Sequence, residues 1–552
     1  DKDSTSDKNS IHSINNENNN MKKCDEVFKL AFDKSRANGR KEWLKNFDKN
    51  IILSQTEKEI KYKDFINKEL IHFSNYDNER SIPNMCDGLK PSHRKILYSV
   101  LKKNQKKAIK VSQLAGYVSE NSGYHHGENS LLECIIGMAQ NFVGSNNIEL
   151  LYPDGQFGTR LQGGKDAASP RYIWTYMTEL SQIIFNTNDN EILKYNYDDN
   201  IKIEPQYYIP IVPLILINGS EGIGTGFSTK IPPYNPLEIV NNIYNLMEDK
   251  DISEMRPWFR GFTGDIIFKD LNEYGNHIYI NKGKWEKINE TTISIYELPI
   301  GRWTDDYKIY LESLIYDKNS EAKIREKQCI ISFENRSTES SVNFVVKFKK
   351  EDLQSLIKND EIESKFKLCD TKNTSLTNIH LYNSNNKIAK YDSPEEILKE
   401  FYLIRLVYYL KRKEHMLSKI KKDLDVYKAK VVFINDFITD NIKIINQDDE
   451  DIIKQMEQKN YPKFGKDEND MSYDYLLTMY IKSLTKKKIE ELNKLYENKL
   501  AEYNELINKD EKTMWREDLE KFVKAYNKMM VEYSDNFVNN CENVATETKG
   551  KK

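Results

Sequence analysis

The tetrapeptide Ser393-Pro394-Glu395-Glu396 commits the chain beyond it to a helix: a serine able to cap, a proline whose fixed φ suits the first helical position, and the glutamate of a capping box. Farther on, Leu410, Leu417, Leu424, Val431 and Ile438 recur at heptad spacing, with Ile420, Tyr427 and Ile434 on a companion seam. Such a seam is a coiled-coil signature and needs a second helix to cover it. A second periodic run supplies one, through Ile489, Leu492, Tyr496, Leu500, Tyr503 and Leu506. Joined through a segment containing Tyr473 to Leu484, the two runs predict an antiparallel helical arm with a small globular tip. A return segment with Trp515, Leu519, Phe522, Val523 and Tyr526 closes it before a polar tail.

At 552 residues the chain exceeds what one hydrophobic core supports and should divide into roughly three or four domains. Residues 1–21, rich in Asp, Ser, Asn and Lys, read as disordered. From about Lys63 the pattern turns helical. Pro91 and Ser92 start a helix whose Ile96, Leu97, Val100 and Leu101 form an apolar stripe opposite basic residues. Leu131, Leu132, Ile135, Ile136 and Ala139 mark another helix from about Ser130. Turn-rich segments around Pro153-Asp154-Gly155 and Gly163-Gly164 suggest a β-wing, which makes the region a winged-helix variant of the helix-turn-helix class. From about Glu204 to Lys390, alternating apolar stretches such as Thr292-Ile293-Ser294-Ile295-Tyr296 and Val342-Asn343-Phe344-Val345-Val346 mark a mixed α/β domain, and its end, 371–390, reads as loop.

Net charge is −3, which argues against a protein that coats nucleic acid indiscriminately. Its distribution matters more. Between Leu89 and Val111 lie Lys90, Arg94, Lys95, Lys102, Lys103, Lys106, Lys107 and Lys110 with no Asp or Glu, a block able to hold a polyanion by phosphate neutralisation. A solvated helix face is the plainer reading of such a run. Mean hydropathy is −0.73, and with no run of about 18 apolar residues and no apolar signal core, an intracellular protein without membrane spans is expected. The six cysteines are scattered without a CxxC pair, so reduced thiols are expected. His125, His126 and Glu128 are too close in sequence to converge on one ion and lack HExxH spacing. Gly219, Gly222, Gly224 and Gly226 fit neither nucleotide-binding glycine pattern.

The segment Gly163-Gly164-Lys165-Asp166-Ala167-Ala168-Ser169-Pro170-Arg171-Tyr172 sets a tyrosine beside a guanidinium on a glycine-rich turn. Among 34 tyrosines most are packing residues, yet this pairing suits attack on a phosphodiester. A phenol with a pKa of about 10 makes an ester that a sugar hydroxyl can displace again, so the exchange reverses without added energy. The arginine fork stabilises charge gathering on phosphorus and favours ionisation of the phenol.

Four stretches, DGLKPSHRKILYSVLKK from Asp87, YHHGENSLLECIIGMAQNFVGSNN from Tyr124, DGQFGTRLQGGKDAASPRYI from Asp154 and NGSEGIGTGFSTKIPPYNP from Asn218, resemble in their order the breakage-reunion core of eukaryotic type IIA DNA topoisomerases. Weaker resemblance runs from about Phe32 to about Tyr533. The resemblance implies a multidomain α+β chain: 1–60, a disordered N-terminus and linker after a Toprim domain; 61–205, a winged-helix domain with the catalytic tyrosine; 206–392, a mixed α/β tower domain; 393–533, the long antiparallel coiled-coil arm with a helical exit-gate tip; 534–552, a polar tail. It implies that Tyr172 attacks a DNA phosphate and stays on the 5′ end, assisted by Arg171, by Arg94 near the scissile region and by His126 as a phosphate-positioning or proton-transfer group. Lys90, Lys95, Lys102, Lys103, Arg160 and Lys165 are implied DNA contacts. Ile223 matches an isoleucine that wedges between base steps, although on residue type alone it reads as buried core.

The resemblance further implies double-stranded DNA and a second copy of the chain as partners, and a nuclear location. Mg2+ would be held by Toprim residues and ATP by an ATPase domain, both absent here. The obvious DxD pair, Asp423-Leu424-Asp425, falls inside the predicted coiled-coil helix, so no metal site is expected. A gyrase A-like subunit is a related alternative, to which His93 and DGLKP would suit. A non-catalytic architectural DNA binder with a dimerising coiled coil is an alternative of another class.

Overall fold

The computed structural model describes residues 24–549, apart from 55, 57, 105–106, 272–274, 276, 318–326, 377, 445–446, 466–470 and 481–483, with side chains described to 534. Residues 1–21, read as disordered, lie outside the described residues. Two compact units emerge. The first takes the described residues up to Asn186, Leu193–Ile404 and those from Leu519 on, and the second takes Thr187–Ile192 and Arg405–Asp518.

In the first unit, the stretch expected to be a linker carries a helix at 24–32 and another at Ala37–Lys45, followed by Ile71–Ser81. Pro91–Lys103, Val111–Ser122 and Glu128–Ala139 then pack together through Ile96, Leu97 and Val100, Leu114 and Val118, and Leu131 and Ile135, all buried. Each helix has a local reason to stop. Asn104 and Gly123 take left-handed conformations after the first two, and Gln140 turns extended after the third. The middle helix, Val111–Ser122, escaped the periodicity reading. The expected wing is not a paired hairpin: 150–170 holds turns and isolated bridges, Leu151 to Met177 and Asp154 to Trp174. Gly155, Gly158, Gly163 and Gly164 all have positive φ, a conformation a regular ladder does not use.

The following region contains an antiparallel four-stranded sheet in the order Ser332–Asn335, Phe344–Lys347, Thr292–Glu297, Lys284–Asn289, with Ile293 opposite Val346 and Ile295 opposite Phe344. Its core joins Ile293, Ile295, Phe344 and Val346 to Tyr307, Leu353 and Phe366 of nearby helices. A three-stranded sheet, Cys369–Asp370, His277–Lys282, Asp265–Leu271, lies beside it in sequence. The stretch 371–390, expected as loop, includes the hairpin His380–Tyr382 with Ile388–Lys390. Main-chain bonds hold that hairpin to the segment before the basic helix: Met85 N–H donates to Tyr382 O at 2.8 Å and Tyr382 N–H to Pro83 O at 3.0 Å.

The helix that opens at Pro394 runs 45 residues to Ile438, about 68 Å at 1.5 Å per residue. Ser393 Oγ accepts the Glu396 N–H at 3.2 Å, while the Glu396 carboxylate reaches the Asp392 N–H at 2.7 Å. In the second unit it runs antiparallel to Lys486–Asn508: Lys413 Nζ donates to Ile507 O at 3.1 Å, and farther along Lys499 faces Asp423 and Tyr427. The strict heptad line does not survive intact. Leu410 is 44% exposed and Ile438 40%, whereas Ile420, Leu424, Phe433 and Ile434 are buried. An α-helix drifts about 20° per heptad, so a fixed seven-residue line rotates off the buried face. At the far end Phe433, Ile442, Ile452, Met456, Tyr461, Tyr473 and Leu476 form a small core of their own. The final helix, Glu511–Lys549, buries Trp515, Leu519, Phe522 and Tyr526 and continues through most of the expected polar tail.

Candidate nucleic-acid interface

The basic helix divides its charges between two faces. Lys102 and Lys103 at its C-terminus are exposed, as is favourable for cations there, with their ammonium groups 5.7 Å and 4.6 Å from the Tyr98 and Tyr117 rings. Lys110 lies 5.4 Å from the exposed Trp174 ring. The N-terminal cations turn inward instead. Arg94 is buried and forks onto Asp87, Nε to Oδ2 at 2.8 Å and a terminal nitrogen to Oδ1 at 3.1 Å, and the same carboxylate accepts the Leu89 and Tyr208 N–H groups. Lys95 pairs with Glu204 at 2.9 Å, and Lys90 donates to Glu221 O at 2.8 Å. His93 Nδ1 accepts the Lys90 N–H at 3.3 Å. Burial, together with the charges of Lys90 and Arg94, pulls the His93 pKa down to about 4, so the ring is a neutral acceptor at physiological pH.

Arg94 and Lys95, expected at the scissile region and on DNA, are thus engaged with carboxylates inside this conformation, where an unpaired buried charge would be costly. Arg160, expected on the wing as a phosphate contact, is likewise buried and paired with Glu297 at 2.6 Å. Lys165 is exposed.

The glycine-rich turn is held at many points. Gly164 N–H donates to Thr159 O and Ala168 N–H to Gln156 O, both at 2.9 Å, while Asp166 accepts the Thr159 N–H at 2.9 Å and its hydroxyl. Gln140 Nε2 donates to Phe157 O at 3.0 Å and Gly164 O at 3.2 Å. A Cβ on Gly163 would lie 2.2 Å from the Trp303 indole, so only glycine fits there. Past the turn, Val111 N–H bonds to Ile173 O at 3.1 Å and Lys110 pairs with Trp174 across a short antiparallel bridge, fastening the loop beside the exit of the basic helix. Ile173 is buried as the anchor, and Tyr172 is left 69% exposed. The Arg171 guanidinium lies 5.1 Å from the Tyr172 ring centroid, over the ring rather than at the hydroxyl. A groove of about 720 Å³ opens alongside, lined by Glu133, Ile136 and Gln140 of one helix and by Lys165, Ser169 and Arg171.

His126 is exposed just before Glu128–Ala139, its Nε2 bonded to the Tyr76 hydroxyl, while His125 faces Asp198 at 3.1 Å, so the two imidazoles have separate partners. Ile223, which reads as core on residue type alone, ends its strand 76% exposed. Asp423 and Asp425 do not fit a divalent-ion site: they flank the buried Leu424, and Asp423 faces Lys499. Among the described residues no cluster of three His, Cys, Asp or Glu side chains has metal-binding geometry. Sequence reading missed Gln140, Asp166, Trp303 and Trp174. Of these, Gln140 and Asp166 stood inside quoted motifs, and nothing marked Trp303, more than a hundred residues away, as the cover of Gly163.

A family model for the A-type subunit of DNA gyrase/topoisomerase IV matches residues 80–520, and one described as C-terminal associated domain of TOPRIM matches residues 4–78. The DNA topoisomerase 2 of Saccharomyces cerevisiae is 40% identical over 95% of this chain and 39% of its own length, and that of Acanthamoeba polyphaga mimivirus is 38% identical over 96% and 46%. The chain therefore spans less than half the length of these curated relatives. The crystal structure of the Plasmodium falciparum topoisomerase II DNA-binding, cleavage and re-ligation domain superposes with a TM-score of 0.82 at 39% identity, over 93% of this chain and 71% of that one.

Proposed function

Because this chain belongs to the family of DNA gyrase/topoisomerase IV A-type subunits, we propose that it is the DNA-cleaving core of a type II topoisomerase and that Tyr172 is its nucleophile. The observation that supports this most directly is Tyr172 itself: exposed on a turn fixed by Gln140, Asp166 and Gly163, beside a guanidinium and two residues before Trp174, which pairs with Lys110. In the proposed step the Tyr172 oxygen attacks phosphorus as the P–O3′ bond breaks. The phenol proton is lost to solvent or a base, and the leaving 3′ oxygen takes one up. The product is a 5′-phosphotyrosine and a free 3′-hydroxyl, and re-attack by that hydroxyl reseals the strand. Arg171 swings from the ring to the phosphate oxygens, Lys165, Lys102 and Lys103 neutralise neighbouring phosphates, His126 orients a phosphate oxygen or relays a proton, and Ile223 wedges into the bent duplex. Arg94, Lys95 and Arg160 act here as internal ties that shape this surface, and Lys90 braces the Ile223 hairpin.

Two copies of the chain would cut the two strands of one duplex, and the arm tip would meet its partner copy as an exit gate. Mg2+ and ATP are assigned to portions of the enzyme outside this chain, and the location to the nucleus. Among the described residues no helix is long and apolar enough to cross a membrane. Relatives named DNA topoisomerase 2 favour this reading over a gyrase A-like subunit.

Denaturing capture on a duplex with a 3′-bridging sulfur at the cut, in the presence of the metal-bearing portion, tests it. The tryptic peptide carrying Tyr172 should bear the nucleotide adduct, and an adduct on any other residue would overturn the assignment. The exposed and inward cations should separate as well. Lys102→Ala with Lys103→Ala should flatten the salt dependence of DNA binding by about 2 in slope without altering the melt, whereas Lys95→Ala should lower thermal stability.

A further inference from the structure

The hairpin that carries Ile223 is pressed against the rest of the first unit more tightly than an exposed loop requires. Its strands are Ser220–Ile223 and Ser228–Ile231, joined by Gly224-Thr225-Gly226-Phe227. Three glycines mark where other backbone comes close. A Cβ on Gly222 would stand 2.1 Å from Ser81 O, on Gly224 2.2 Å from Asn78 Oδ1, and on Gly226 2.9 Å from Arg40 Cβ. The loop is therefore seated between the helices Ala37–Lys45 and Ile71–Ser81.

Asn78 lies at the centre of this seat. It is 1% exposed, its Nδ2 donates to Thr225 O at 3.1 Å, and its Oδ1 has no hydrogen-bond partner. A buried amide oxygen left unpaired is unfavourable, so the position holds asparagine against that cost. Next to it in sequence, Asp77 Oδ2 accepts the Thr225 hydroxyl at 3.0 Å. Both contacts fall on the residue two beyond Ile223.

An apolar wedge works only if its support is stiffer than the base stack it opens, because unstacking opposes it at every step. A loop that yields would relax before the bases part. We infer that Asn78 is the positioning residue for Ile223: its carboxamide, fitted against Gly224 and tied to Thr225, backs the loop so that insertion bends DNA rather than the protein. This rests on the wedge reading of Ile223 under Proposed function.

The test uses the full chain and a duplex labelled at both ends for energy transfer. Ile223→Ala should abolish the bent state. Asn78→Ala should lower the bent-to-straight ratio about five-fold while affinity in the straight state is unchanged. Asn78→Ala should lower the ratio while its melt stays within a few degrees of wild type, a separation that a general loss of stability does not produce. Should Asn78→Ala unfold, Thr225→Val, which removes only the Asp77 bond, should move the ratio the same way. Normal bending by Asn78→Ala, or by Thr225→Val in that event, with Ile223→Ala defective, overturns the role of Asn78 alone. Normal bending by Ile223→Ala overturns the wedge reading and this inference with it.

Discussion

Tyr172→Phe should leave DNA binding within about two-fold of wild type and reduce covalent DNA capture by at least about 10³-fold, measured on the chain supplied with the metal-bearing portion of the enzyme. The two effects separate because the ring and the hydroxyl have different tasks. The side chain is 69% exposed and packs mainly against Arg171, whose guanidinium lies over the ring, a contact phenylalanine preserves. The turn is held by Gln140, Asp166 and the main chain around Ile173, none of which touches the phenol oxygen. Only the nucleophile is lost. Arg171→Ala should be milder, about 10²–10³-fold in the rate of capture, as expected for removing one charge-stabilising donor. An architectural DNA binder would show no covalent product in any variant. Persistent capture by Tyr172→Phe would move the chemistry to another residue.

The glycine-rich turn was legible because its demands are local: a tyrosine, an arginine and glycines at positions of positive φ lie within ten residues. The basic block was legible as a charge run but not as a surface. Whether Arg94, Lys95 or Arg160 faces solvent depends on Asp87, Glu204 and Glu297, and the last two stand 109 and 137 residues away in sequence. No pattern of spacing announces such a partner. Exposure of Ile223 was legible only through family resemblance, since apolar residues flanked by glycine are ordinarily core. The heptad line misjudged the arm for a geometric reason, the drift of an α-helix against a seven-residue repeat. The polar stretch Thr187–Ile192 carried no signal at all, yet it supplies the carboxylate on which the base of the arm depends.

Asp189→Ala should therefore destabilise the second unit by about 3–5 kcal/mol, a loss of order 10 °C or more in its calorimetric transition. Asp189 sits in the 3₁₀ turn Thr187–Ile192 and is buried among the arm helices. Its oxygens accept from Arg412 Nε at 2.7 Å and a terminal nitrogen at 2.6 Å, and Arg405, fully buried, approaches the same carboxylate at 3.0 Å. The other terminal nitrogen of Arg412 bonds to Asp518 at 2.7 Å, and the Tyr409 hydroxyl donates to that residue at 3.0 Å. Burial alone would lower the Arg412 pKa, but its bonds to Asp189 and the charges around it hold the guanidinium well above its ordinary value, so it stays charged at any usable pH. Removing Asp189 leaves two buried cations with the single carboxylate of Asp518. The Arg412 guanidinium cannot escape by deprotonation, which is why the expected cost lies at the high end for a point substitution. Arg405→Met discriminates this account from simple packing loss. It deletes the cation that has no well-aligned hydrogen bond, keeps most of the buried volume, and leaves Asp189 paired with Arg412. It should be nearly neutral, and in the Asp189→Ala background it should restore part of the lost stability. Equal losses from Arg405→Met and Asp189→Ala would show that shape rather than charge balance holds the base of the arm together.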